Sequence, residues 1–154
     1  MTLGWKVLLS YDGRIISGHR RYNLFTESYR DTYWTPGVWQ HVDGVIAPCW
    51  NGLHMSPTPG LAWAYVQGNV LALVEGAGTS VNSSDTNNYA KSAHSQMRII
   101  RAVALPSNVC NMAEVKFSRD YGSFRHPWKG KLPETDAYLR QVFKELPAIK
   151  PVQQ

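Results

Sequence analysis

The chain is short of cysteine, of long apolar runs and of acidic residues, and each shortage excludes a class of protein. Two cysteines, Cys49 and Cys110, in 154 residues cannot build a disulfide framework. Nor do they mark a metal centre: Cys49 and His54 lack zinc-site spacing, and no second ligand pair accompanies them. No metal is therefore expected. No apolar stretch approaches the roughly 18 residues that cross a bilayer, so no membrane partner is expected. No leader-like segment is expected ahead of the first strand, and a soluble protein in a reducing cytoplasm fits this pattern. A Gly-x-Ser-x-Gly elbow and a Gly-rich phosphate loop are both missing, so neither route to nucleophilic or P-loop chemistry is signposted. Eleven acidic residues stand against 16 Lys and Arg, a formal charge of +5. That balance favours acidic partners such as phosphates, nucleotides or nucleic acid, although the excess is not gathered in one run.

What is present is apolar and aromatic material: 44% and 12% of the residues, with six Trp and eight Tyr. This exceeds what a core of this size needs. Some rings are expected to line a groove where they stack on rings, bases or sugars, the alternative being that they fill an irregular core. The length predicts a single domain over 1–154, with a mobile loop over 76–90 and a tail over 147–154. The fold class expected is α+β: a compact, mostly antiparallel sheet, a short helix after Gly52–His54, and a C-terminal amphipathic helix.

Local patterns carry that expectation. Trp5–Tyr11 reads as a strand, Asp12-Gly13 as a hairpin turn, and Arg14–Ser17 as the returning strand. A second small hairpin is predicted across Val38–Ile46 around Asp43-Gly44. Gly52–Met55 is a short strand. Thr58 is then a helix N-cap with Pro59 at the first helical position, where its missing N–H costs nothing. Val70–Val74 is a continuous apolar run and so a buried strand. Gly76–Ala90 reads as loop, Met97–Val103 as strand and Pro106–Asn111 as a turn. Val115–Lys131 reads as loop with at most one strand. Glu134–Leu146 places Tyr138, Leu139, Val142, Phe143 and Leu146 on one helical face.

Among five histidines, His19 (after Gly18) and His54 (two residues after Gly52) each lie close behind a glycine at a predicted strand end, where a side chain can point into a cleft. There an imidazole can bind a ribose hydroxyl or phosphate, or act as acid and base near neutral pH. The alternative is a half-buried histidine satisfying a carbonyl. Glu75 ends the apolar run and Gln96 opens the next strand, so either can orient a ligand. Ser56, Trp63, Tyr65 and Arg98 complete the expected binding set. Separately, Lys116, Arg119, Arg125 and Lys129 interleave with Tyr121 and Trp128. That composition suits phosphate or single-stranded nucleic acid, through charge neutralisation and stacking.

Two family resemblances attach to these residues. The ordered series Trp5-Lys6-Val7, Asp12-Gly13, Gly18-His19, Pro36-Gly37-x-Trp39, Pro48-Cys49-x-x-Gly52-Leu53-His54 and Val74-Glu75-Gly76 resembles a family of small phage and bacterial domains of unknown function. It implies a viral or mobile-element origin and carries over no established activity. Gly18-His19, Gly52-Leu53-His54 with Ala62 and Tyr65, and the strand from Gln96 resemble the three-part layout of His-Tyr-Glu ADP-ribosyltransferases. That resemblance implies an ADP-ribosyltransferase-like fold, NAD as cofactor, and His19, His54 and Gln96 in the three catalytic positions. His54 replaces the tyrosine and Gln96 the glutamate. An amide cannot supply the carboxylate's stabilisation of an oxocarbenium-like centre, so the resemblance implies binding of NAD or ADP-ribose without efficient transfer.

The expected function is therefore a phage-type accessory protein of the host cytoplasm. It would bind a nucleotide-like ligand (NAD, ADP-ribose or a cyclic nucleotide) and counteract host defence. The alternatives left open are an active ADP-ribosyltransferase or nucleotide hydrolase, and a non-enzymatic inhibitor that binds a host protein. Nucleic acid is a further partner that segment 116–131 leaves open.

Overall fold

The computed structural model describes residues 2–11, 13–17, 33–48, 51–82, 91–122 and 132–151. Seven strands and three helices lie among them: β1 (Thr2–Tyr11), β2 (Arg14–Ser17), β3 (Tyr33–Trp34), β4 (Gln40–His41), β5 (Leu53–Met55), α1 (Pro59–Tyr65), β6 (Val70–Asn82), β7 (Ser92–Ala104), α2 (Ser107–Gly122) and α3 (Pro133–Glu145). The sheet is antiparallel and runs β3-β2-β1-β6-β7-β4, with β5 also paired to β7. Just past β5, Ser56 exchanges both main-chain hydrogen bonds with Trp5 of β1, at 2.8 and 2.9 Å. The sheet therefore nearly closes on itself, β1 reaching β7 through β6 on one side and through β5 on the other.

Strand alternation sorts the core into two halves. Val7, Leu71 and Val103 face the helices and pack with Trp63, Ala113, Leu139 and Phe143. Leu8, Val70, Ala72, Val74 and Ala102 face the inside of the curled sheet, under Leu53, Met55, Ile15 and Trp34. Close approach of β5 to β1 needs Gly4, whose absent Cβ would collide with the Met55 side chain. Each fully buried Leu or Val removes enough apolar surface to contribute about 1.5–3 kcal/mol, and the two halves together supply the sheet with cover on both faces.

The helices are capped by one another. Thr58 Oγ1 accepts from Leu61 N at 3.2 Å and Pro59 opens α1, as the sequence predicts. Asp136 of α3 also accepts from Gly60 N, 3.2 Å away. The N-terminus of α3 has no cap of its own, Leu132 being left-handed there with φ 48°. Buried Asp120, near the end of α2, takes that place, accepting from Thr135 N and Oγ1 at 2.8 and 2.7 Å and from Glu134 N at 3.3 Å. At the other end of α3, Arg101 of β7 donates to the carbonyls of Phe143 and Leu146.

Four expectations are corrected. The segment from Gly76 to Asn82 is not loop but the second half of β6, held by β7. Its Gly and Ser residues accommodate a bulge at Ala77/Ser80, where Gly78 takes φ +72°. Residues 83–90 of that predicted loop lie outside the described residues. Ser107–Gly122 is a helix rather than a turn followed by loop. Val38–Ile46 forms no hairpin: Gln40 and His41 pair instead with Met97 and Gln96 of β7. Glu75 is not the exposed end of a strand but a buried residue in mid-strand.

Candidate functional site

Lys6 lies on the inner side of the curled sheet, because it alternates with Gly4 and Leu8 and pairs with Ala72. Its Nζ donates to the main-chain oxygen of His54 at 2.8 Å and stands 5.7 Å from the centre of the Trp34 ring. Trp34 is itself fixed by its Nε1 donating to Ser17 Oγ at 2.9 Å. The ammonium end is enclosed although part of the residue reaches solvent, and this burial pushes its pKa down to about 8. Among the described residues no carboxylate makes an ion pair with Lys6.

His54 sits on β5 opposite Ala93. Burial, then the charges of Lys6 and Lys91, push its pKa down to about 3, against an opposing backbone hydrogen bond at Gly52. The imidazole is thus neutral at pH 7. Lys91, also buried, leads into β7 with its Nζ 4.2 Å from the centre of the Tyr65 ring. His94 is fully buried against Gly76: a Cβ there would lie 2.6 Å from its Nδ1. Burial and the Lys6 charge lower the His94 pKa as well. Its Nε2 is 2.7 Å from Ser92 Oγ, whereas Nδ1 has no hydrogen-bond partner.

Lys6, His54, Lys91 and His94 therefore form one basic nook in which the histidines are neutral and the lysines carry the charge. Such a nook suits an anion: charge is supplied by ammonium groups in a weakly screening setting, and imidazoles donate or accept as needed. Nucleophilic chemistry has a weaker footing. Ser92 touches His94, but nothing holds the imidazole in the tautomer a general base requires, since Nδ1 lacks an acceptor.

The sequence-predicted residues distribute unevenly around this nook. His54 is in it, Tyr65 borders it through Lys91, and Ser56 is buried beside it in the bridge to Trp5. Trp63 is not: it belongs to the helix-side core and is 2% exposed. Glu75 and Arg98 pair with each other, Nε to Oε1 at 2.7 Å, and Arg98 also stacks 4.9 Å from the Trp39 ring centre. Gln96 lies between Ala77 and His41 in the sheet, and no hydrogen bond among the described residues links it to His54. Lys116, Arg119 and Tyr121 sit on α2, not in a loop. Lys116 stands over Tyr138 at 5.4 Å, Arg119 lies 3.9 Å from Glu134, and Tyr121 packs against Phe117 at 5.9 Å. His19, Arg125, Trp128 and Lys129 lie outside the described residues.

Lys6, Lys91, Ser92 and His94 were missed by sequence reasoning. One signal for Lys6 was present: a lysine at an inward position of an otherwise apolar strand, WKVLL, is a buried-charge pattern. Comparison with protein-family models, with curated proteins and with solved structures gave no match.

Proposed function

We propose that this protein binds a small phosphate-bearing ligand of nucleotide type, the phosphate meeting Lys6 and Lys91 beside His54. The observation that carries this reading is Lys6: an enclosed ammonium whose protein partners are a carbonyl and an indole face, with no carboxylate in contact among the described residues. Burying a cation without a counter-charge costs stability. An anionic ligand offsets that cost. Ser92, whose hydroxyl lies beside His94, brings a further polar group for the sugar or phosphate oxygens. The NAD, ADP-ribose and cyclic-nucleotide ligands expected from the sequence all carry such phosphates, and sequestering one of them is the role an anti-defence accessory protein would perform.

The test is a thermal-shift panel of ADP-ribose, NAD, cyclic dinucleotides and inorganic pyrophosphate against the native protein. A ligand at 100 times its dissociation constant adds roughly 2.7 kcal/mol, a readily measured rise in Tm. A panel without any rise contradicts the proposal. The 2.7 Å contact between Ser92 and His94 favours hydrolysis of the same ligand as a second reading. It requires product formation that disappears in Ser92→Ala, and an intact ligand after long incubation rejects it.

A further inference from the structure

The two ends of the sheet meet in a short seam. β3 and β4 are its terminal strands, and the chain joins them through Thr35-Pro36-Gly37-Val38. Val38 N donates to Thr35 O at 3.0 Å and Gly37 takes φ +85°, the signs of a type II turn with proline and glycine at its two central positions. Gly37 N also donates to Ile99 O of β7 at 2.9 Å, and Gln40 Nε2 reaches back to Tyr33 O at 2.6 Å. The seam is thus fixed at its turn, to the neighbouring strand and across its own width.

Held in this way, it presents two aromatic rings outward. Alternation turns Trp34 in, where it is 3% exposed, and its neighbour Tyr33 out, where it is 49% exposed. On the other side Met97 and Ile99 face the inner core, so Arg98 and the Trp39 ring stacked on it face out, Trp39 being 42% exposed. Val38, next to it, is 52% exposed. Each ring carries a guanidinium: Arg14 lies 5.0 Å from the Tyr33 ring centre and Arg98 4.9 Å from that of Trp39. Arg98 is paired with Glu75, whereas Arg14 is exposed and makes no ion pair among the described residues. No acidic residue occurs from Tyr33 to Val42.

Exposed apolar side chains grouped like this mark an interaction site. The fitting partner offers flat apolar faces and negative charge together. An acidic peptide supplies the charge without the ring faces, and a duplex hides its ring faces in its own stack. Unpaired bases on a phosphate backbone supply both. We propose that the seam binds single-stranded nucleic acid, with bases stacking on Tyr33 and Trp39 and a phosphate meeting Arg14. The fixed turn sets both rings in place before binding, which lowers the ordering cost of association. This surface is on the outside of the sheet, separate from the nook around Lys6 on its inside.

The experiment measures fluorescence anisotropy of labelled oligothymidylate and oligouridylate titrated with the protein. Saturable binding of at least one is expected. Tyr33→Ala and Trp39→Ala should each weaken it about 5- to 150-fold, the value of one stacked base. Trp39→Phe keeps a ring and should retain most of the affinity. Arg14→Gln should reduce the slope of log affinity against log salt by about 0.7, the value of one phosphate on a single strand. Tyr121→Ala, which removes an exposed ring on α2, should bind as the native protein does, and pyrophosphate should not displace the oligonucleotide. Absence of binding, binding that both the Tyr33 and Trp39 alanine variants keep, or displacement by pyrophosphate or polyglutamate overturns the inference.

Discussion

The Lys6 ammonium donates a 2.8 Å hydrogen bond to the main-chain oxygen of His54, joining β1 to β5 across the inside of the curled sheet. This contact holds the charge in place without neutralising it. A carbonyl satisfies one of three ammonium protons, and the Trp34 face contributes a cation–π attraction at 5.7 Å. The charge is thus costly to the fold, a cost that the proposed anionic ligand would offset.

Lys6→Met is accordingly expected to stabilise the unliganded protein, by about 1–3 kcal/mol at pH 7. The sign follows from linkage. The folded pKa is about 8 and the ordinary value 10.5, so the unfolded chain binds the proton more tightly and the Lys6 contribution to stability rises between those pH values. Chemical denaturation across that window measures it. The wild type should gain stability relative to the variant as pH rises through that window, both sharing the opposite slope of Cys110 and Tyr138, whose pKa values burial raises, and a destabilised Lys6→Met protein would contradict the reading.

His54 sets the acid limb. Its folded pKa near 3 lies below the unfolded value of 6.5, so the stability it confers is complete above 6.5 and lost as pH falls. The loss is roughly 1.4 kcal/mol per pH unit in that interval, and His94 acts in the same direction. His54→Gln is expected to give a shallower decline between about pH 6 and pH 4 by denaturant titration. An unchanged slope would show that His54 titrates normally.

Asp120 is the hinge of the helical layer, closing the N-terminus of α3 with three accepted hydrogen bonds. Asp120→Ala leaves the buried Thr135 hydroxyl and two amides unsatisfied and should cost about 2–4 kcal/mol. Asp120→Asn keeps one carboxamide oxygen as acceptor and is expected to cost less. The order of the two midpoints in thermal unfolding is the check.

Gly76→Ala tests the seat of His94. A methyl group there would press on the imidazole at 2.6–2.8 Å, with no flexible side chain to yield. Overpacking of this kind costs about 1–3 kcal/mol, and the displaced ring should break its contact with Ser92. The His94 ring resonances report that displacement directly, and their constancy would refute it.

Parts of this arrangement were legible in the sequence because they are local. Thr58-Pro59 announces α1 through its capping chemistry, and the spacing of Leu139, Val142 and Phe143 announces α3. The helix α2 was not legible. Val109, Ala113 and Asp120 are the buried residues at its helical spacing, while Met112, Val115 and Tyr121 are exposed and blur the period. The distal half of β6 carries Gly78, Thr79 and Ser80, residues of loops in isolation, and owes its strand conformation to pairing with β7. The basic nook is assembled from β1, β5 and β7, and only the pairing of Leu53, His54 and Met55 with Ser92, Ala93 and His94 brings those pieces together. Asp120 looked like one charge in a basic, aromatic stretch, and its role depends on where the next helix begins.

The most direct measurement is a carbon-13 NMR titration of the Lys6 ε-methylene, with and without saturating ADP-ribose or pyrophosphate. The account predicts a pKa near 8 in the free protein, as the burial of Lys6 requires, rising when the anion binds. An ordinary lysine pKa, or a depressed one that neither ligand moves, would contradict it.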